Sequence, residues 1–141
     1  MSFFRKARKR HLRVGRRGEN LACKLLRVQD YDVLCRNYKV KSGEIDIVAR
    51  KDGILVFIEV KTRSHNAFSR PSANLSLTQK RRIYNAAQRY LRDIGEPRVP
   101  FRFDLIEVRL NNNTPIEIQH WAEHFSSRDL RDQRFKNFDY T

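Results

Sequence analysis

Two rhythms of hydrophobic and polar positions run along this 141-residue chain. From Gly18 to about Gln29, Leu21, Ala22, Leu25 and Leu26 recur at the helical period and predict a first helix. "QDYD" ends that pattern, and "VLCRNYKV" reads as a strand. "GEIDIVAR" and "ILVFIEVKTR", separated by "KDG", read as a strong β-hairpin. Asp52-Gly53 suits a type I′ turn, in which both central residues need positive φ. The polar stretch "SHNAFSRPSAN" is expected to be a mobile loop. A second helix follows in "LSLTQKRRIYNAAQRYLRDIG", with Ser76 and Gln79 as a capping box. Ile83, Tyr84, Ala87, Tyr90, Leu91 and Ile94 form its expected buried face, and Gly95 its stop. "VPFRFDLIEVRL" is apolar at both parities, as a central strand covered on both faces would be. "IEIQHW" is expected to be a short last strand. The order α-β-β-β-α-β-β predicts one mixed sheet flanked by helices, with no repeat and no internal domain boundary.

Charge changes this picture at the N-terminus. Thirty Lys and Arg oppose sixteen Asp and Glu, a formal net charge of +14. Arg5, Lys6, Arg8, Lys9, Arg10, Arg13, Arg16 and Arg17 lie in the first seventeen residues with no acid among them. Residues 1–17 are therefore expected to be a flexible basic arm, 18–125 the domain and 126–141 a polar tail that frays. Such an excess of positive charge points to a polyanionic partner, most often nucleic acid. A solubilising tail is the plainer alternative. The arm has little of the apolar periodicity that a membrane surface selects. No apolar run approaches the roughly 20 residues of a membrane-spanning helix, and the N-terminus lacks a secretory apolar region. A cytoplasmic protein is expected. Cys23 and Cys35 form no metal-type cluster and read as buried free thiols.

The hairpin carries the candidate chemistry. With a two-residue turn, Lys51 faces Ile54, so Asp46 falls opposite Glu59 and Glu44 opposite Lys61. Alternation then puts these four charged residues on one face, with Ile45, Ile47, Ile58 and Val60 on the other. Directly opposed residues have Cβ atoms about 4.5–5.5 Å apart, and two carboxylates that close repel. A divalent cation between them removes the conflict. Mg²⁺ favours such oxygen ligands, completed by water and substrate phosphate, and Lys61 lies close enough to meet a phosphate oxygen. That layout suits metal-assisted phosphodiester cleavage. The alternative is a solvated hairpin face in which Glu44 pairs with Lys61. Glu19 shares a helix stripe with Ala22, Cys23 and Leu26, so it either looks across at the sheet or merely favours the helix dipole.

The order Glu19, Asp46, Glu59-Val60-Lys61 resembles the PD-(D/E)xK nuclease superfamily. More narrowly, "GRRGENLACKLL", "RNYKVKSGEIDIVAR", "LVFIEVKTR" and "RFDLIEV" look like the YraN-like family of small bacterial proteins, similar in shape to archaeal Holliday-junction resolvases. The resemblance covers about residues 14–125. It implies an α/β, restriction-endonuclease-like mixed sheet and metal-dependent nuclease chemistry; the substrate does not come with the resemblance, and DNA, including structured or branched DNA, is the expectation set beside it. It also implies Mg²⁺ or Mn²⁺ held by Asp46 and Glu59 with the Val60 carbonyl, Lys61 as the group that orients water and phosphate, and Glu19 completing the site. The superfamily includes members that bind nucleic acid without cutting it, so a non-catalytic binding protein stands as the alternative. Gly43-Glu44 replaces the superfamily's proline, which leaves Glu44 without an assigned role.

Other residues carry weaker signals. Arg16, Arg17, Lys80, Arg81 and Arg102 are candidate phosphate contacts; Arg102 and Asp104, two apart on one strand, also suit an internal ion pair. His120 and His124 have helical spacing but lack the further ligands of a zinc site. His65 falls in the polar loop. Cleavage of both strands would favour a homodimer, though no segment reads as an interface.

Overall fold

Among the described residues one sheet separates two apolar layers, and each layer is closed by one helix. The computed structural model of the chain describes residues 2–64, 74–112 and 114–130. The elements are α1 (Phe3–Val28), β1 (Asp32–Val40), β2 (Gly43–Lys51), β3 (Ile54–Ser64), α2 (Leu77–Asp93), β4 (Phe101–Asn111) and β5 (Thr114–Phe125). The strands lie side by side in chain order. Only β3 and β4 pair in parallel; the other three pairings are antiparallel. A parallel neighbour requires a crossover, and α2 supplies it.

Leu21, Ala22, Cys23 and Leu26 of α1 pack on Ile47, Ala49, Val56, Ile58, Ile106 and Val108. On the opposite face Ile83, Ala86 and Ala87 of α2 pack on Ile45, Val48, Phe57, Phe103, Leu105 and Phe125. Each fully buried Ile or Phe contributes roughly 1.5–3 kcal/mol by leaving water. The central strands are therefore apolar at both parities, as expected for β4. At the hairpin tip Asp52 and Gly53 have φ of 51° and 76°, and the ladder runs from Lys51↔Ile54 to Ile47↔Ile58. The turn thus sets the register read from the sequence as far as Ile47↔Ile58; the expected pairs Asp46–Glu59 and Glu44–Lys61 fall outside the ladder. The α2 capping box is also present: Gln79 N–H donates to Ser76 Oγ at 3.1 Å, and Ser76 N–H to Gln79 Oε1 at 3.0 Å.

Four expectations need correction. First, α1 begins at Phe3, so most of the run read as a flexible arm belongs to one continuous helix. Its strongly basic, acid-free sequence hid that helix. Second, Ile45 and Ile47 lie in opposite layers. Asn37 takes a φ of 53° between the pairs Arg36↔Ile47 and Tyr38↔Ile45, and simple alternation breaks there. Third, β5 extends to Phe125, so His120 and His124 lie on a strand rather than a helix face. Glu123 has a φ of 52° and accompanies a register shift. Fourth, Ile94 is 45% exposed, because α2 ends before it can turn inward. Cys23 is a buried free thiol, while Cys35 is half-buried. His65 and most of its loop, and the tail beyond residue 130, lie outside the described residues.

Candidate active site

The site forms where two strands part. The β2–β3 ladder ends at Ile47↔Ile58. Beyond it, Val60 N–H donates to the Asp46 carboxylate at 2.8 Å instead of to a strand carbonyl. Glu59 and Asp46 lie within hydrogen-bonding reach of one another. Burial, then the neighbouring Asp46 charge, pushes the Glu59 carboxyl up to about 9. Burial also raises Asp46, although the Val60 N–H and the hydrogen bond with Glu59 pull it back. Close carboxylates cannot both ionise freely; Glu59 is the one held protonated at neutral pH, while the Val60 N–H favours the charged form of Asp46.

Glu19 faces the same region from α1. Its carboxylate accepts from Arg36 Nε at 3.1 Å and from Asn37 Nδ2 at 2.9 Å. Arg36 also donates to Asn20 Oδ1 at 2.7 Å. The irregular stretch of β1 therefore anchors α1, and the negative charge of Glu19 helps to raise Asp46. A cleft of about 780 Å³ lies above Asp46, walled by Leu12, Arg16 and Glu19 of α1 and by Arg36, Lys39 and Glu44 of the sheet. Two glycines let the helices close on the sheet, α1 at Gly18 and α2 at Gly43. A Cβ at Gly18 would overlap the Thr62 side chain, and one at Gly43 would overlap the Arg82 carbonyl.

The remaining candidates divide. Lys61 follows Glu59 on β3 and reaches Asn74 O only at 3.4 Å; its charge acts on Glu59. Glu44 lines the cleft but forms no ion pair with Lys61 among the described residues. Arg16 is exposed at the cleft wall. Arg17, on the same helix, does not line the cleft. Lys80 and Arg81 open α2 on the opposite layer, with Lys80 Nζ 5.9 Å from the Phe125 ring centroid. Arg102 is committed elsewhere: it donates to Asp104 at 3.0 Å and to Tyr31 Oη at 2.7 Å. Buried Asp104 also accepts from His120 Nε2 at 2.7 Å and from Glu123 N–H at 3.0 Å. That network is internal, and it engages His120.

Sequence reading missed Arg36 and Asn37, whose partners lie seventeen and eighteen residues away and leave no local signal. It also passed over Glu107, which did leave one: an acid inside the apolar run "FDLIEV". Glu107 is 1% exposed, pairs with Lys61 across the β3–β4 ladder, and among the described residues has neither carboxylate oxygen hydrogen-bonded. Arg63 Nε lies 3.7 Å from it. Among the described residues, no three His, Cys, Asp or Glu side chains converge as a metal cage.

The fold and the carboxylate pair define a small α/β protein with a half-buried acidic centre beside a basic helix. Residues 18–108 match the model of the "Uncharacterised protein family UPF0102", and the chain belongs to that family. Similar relatives, each described as a UPF0102 protein, occur in several bacteria. One from Symbiobacterium thermophilum is 40% identical over 96 residues, covering 68% of this chain and 81% of its own. One from Clostridium perfringens is 42% identical over 98 residues, covering 70% and 80%. One from Clostridium beijerinckii is 36% identical over 113 residues, covering 79% and 92%. The shared region contains Glu19, Asp46, Glu59, Lys61 and Glu107 and excludes most of the basic first half of α1.

Proposed function

We propose that this protein is a divalent-metal-dependent nuclease of restriction-endonuclease-like architecture that hydrolyses phosphodiester bonds in DNA, including branched DNA. The observation that carries this reading is the Asp46–Glu59 pair, two neighbouring carboxylates at the strand fork, both raised by burial, with Asp46 oriented by Val60 N–H at 2.8 Å. Mutually repelling oxygen donors suit Mg²⁺ or Mn²⁺, because a cation replaces the proton and relieves both groups. Two carboxylates are enough for Mg²⁺, which keeps several waters. Asp46 and Glu59, with the Val60 carbonyl, would hold it, and when bound it would supply a nucleophile and neutralise developing phosphate charge.

The chain's own groups do the rest. Val60 N–H fixes the Asp46 carboxylate at 2.8 Å. Lys61 offers a cation held by one long hydrogen bond and therefore able to swing to a phosphate oxygen. Glu19, fixed by Arg36 and Asn37, orients water at the cleft. Arg16 and Lys39, exposed on facing walls, attract the phosphate backbone.

A second reading is a nucleic-acid-binding protein without catalysis. The engagement of Glu19 Oε1 by both Arg36 and Asn37 favours it, since one oxygen of a third acid is thereby occupied. One assay separates the two: incubation with Mg²⁺ or Mn²⁺ and a panel of linear, nicked, flapped and four-way DNA, with Asp46→Ala as control. Metal-dependent cleavage lost in Asp46→Ala establishes the nuclease. Salt-dependent binding without cleavage on every substrate establishes the binding protein.

A further inference from the structure

The first half of α1 is a projecting basic helix whose charged face runs straight into the cleft. Arg5, Lys9, Leu12, Arg16 and Glu19 recur at i, i+4, i+7, i+11 and i+14, and so share one helix face. Arg8 flanks it. The lower end of this face is fixed in space, because Leu12, Arg16 and Glu19 line the cleft above Asp46. The upper end follows from helical continuity. Arg5, Arg8, Lys9 and Arg16 are exposed and make no ion pair among the described residues. The acid-free first turn opposes the helix dipole, so a polyanion alongside would relieve the helix as well as the side chains.

We infer that this face is a rail for one stretch of nucleic-acid backbone, leading the substrate to Asp46 and Glu59; the inference rests on the proposed nucleic-acid function. Its length sets the footprint. Fourteen residues separate Arg5 from Glu19, about 21 Å of helix at 1.5 Å per residue. B-form DNA carries one phosphate per strand every 3.4 Å or so of axis, making the rail about six base pairs long. The substrate must therefore extend about six base pairs to one side of the point of attack. A helix is stiffer than a tethered arm, so its contacts keep a fixed register with the site. A membrane surface is the competing partner, since Phe3, Ala7 and Val14 recur at i, i+4 and i+11 on the face opposite these cations; Val14, however, packs against the sheet-side core and leaves little of that stripe for a bilayer.

The test compares two charge reversals of equal size in the full chain. Arg5→Glu/Lys9→Glu alters the rail; Arg92→Glu/Arg98→Glu alters exposed cations at the far end of α2. Binding to a fluorescein-labelled 20-base-pair duplex, without metal, is followed by anisotropy across a salt series. The rail variant is expected to lose at least tenfold in affinity, and its salt slope to shrink by about two, near 0.9 per phosphate contact. The control should change less than threefold. Circular dichroism checks the helix, and Arg5→Gln/Lys9→Gln, which adds no acid, should lose affinity in the same direction. Equal losses in both reversals would mean that bulk charge alone attracts DNA, overturning the rail but not the nucleic-acid function. An unaltered protein that binds no duplex at low salt overturns both. Preference for phosphatidylserine vesicles over duplex, abolished by the rail variant, assigns the helix to a membrane instead and overturns the rail.

Discussion

Val60 gives its main-chain N–H to the Asp46 carboxylate where β2 leaves β3, so the strand fork itself orients the acid. This bond favours the charged form of Asp46, while the Glu59 carboxyl is pushed up to about 9 by burial and by the Asp46 charge. A folded-state pKa raised above the unfolded value of about 4.3 means that the native state binds more protons between the two. Stability should therefore fall as pH rises through that window. Glu59→Gln removes the titration and should flatten the decline, raising Tm at pH 8 by about 3 °C, the order that 1 kcal/mol produces in a domain of this size. Added Mg²⁺ should raise Tm of the parent increasingly with pH and leave Glu59→Gln unmoved. Thermal melts from pH 5 to 9, with and without Mg²⁺, measure both.

The two acids of the hairpin and the acid of α1 should rank differently in activity. Asp46 and Glu59 form the centre; Glu19 stands beside it, tied to Arg36 and Asn37. Glu19→Gln is expected to lower cleavage by about 10–100-fold, the range for groups that orient ligands from outside. Asp46→Ala and Lys61→Ala should lower it further while duplex binding survives. Single-turnover cleavage beside anisotropy binding gives the ranking. A loss of binding equal to the loss of cleavage in Lys61→Ala would make that residue a phosphate anchor and no more.

The register below the fork was legible because one turn fixed it. Asp52-Gly53 set the hairpin count as far as Ile47↔Ile58; the expected pairs Asp46–Glu59 and Glu44–Lys61 lie beyond the end of that ladder. The face of Ile45 was not legible, since it depends on the left-handed backbone of Asn37, which alternation cannot register. The start of α1 was hidden because Gly15, Gly18 and a run of like charge all argue against a helix locally. Packing overrides them: Gly18 is where α1 meets Thr62. Arg102 and Asp104 were readable as an ion pair from their spacing, but His120 and Tyr31 join them only through the tertiary fold.

Gly18 makes a sharp test of that packing. A Cβ there would meet the Thr62 side chain on β3. Helix propensity alone favours Ala over Gly by about 1 kcal/mol, so a solvent-facing glycine would gain from the change. The overlap should reverse the sign, because forcing an atom into a packed contact costs about 1–3 kcal/mol. Gly18→Ala is expected to be destabilised in urea denaturation, whereas Gly15→Ala, with open space around it, should be stabilised.

The Asp104 network makes the opposite pH prediction to Glu59. Burial by itself would raise this carboxyl, but hydrogen bonds from His120, Arg102 and the Glu123 N–H outweigh it and hold it below the usual carboxylate range. A depressed folded-state pKa contributes stability that is present above the unfolded value of about 3.9 and is lost as pH falls through the folded one. Asp104→Asn keeps the shape but faces Arg102 and His120 with a neutral amide. Breaking one side of a buried charged pair costs about 3–5 kcal/mol, so the variant should be strongly destabilised at pH 7. The gap between parent and variant should then narrow on acidification toward pH 2–3, where the parent carboxylate also becomes neutral. Denaturant midpoints at the two pH values check the sign, and a gap that widens in acid would mean that the carboxylate is not the charged centre of this network.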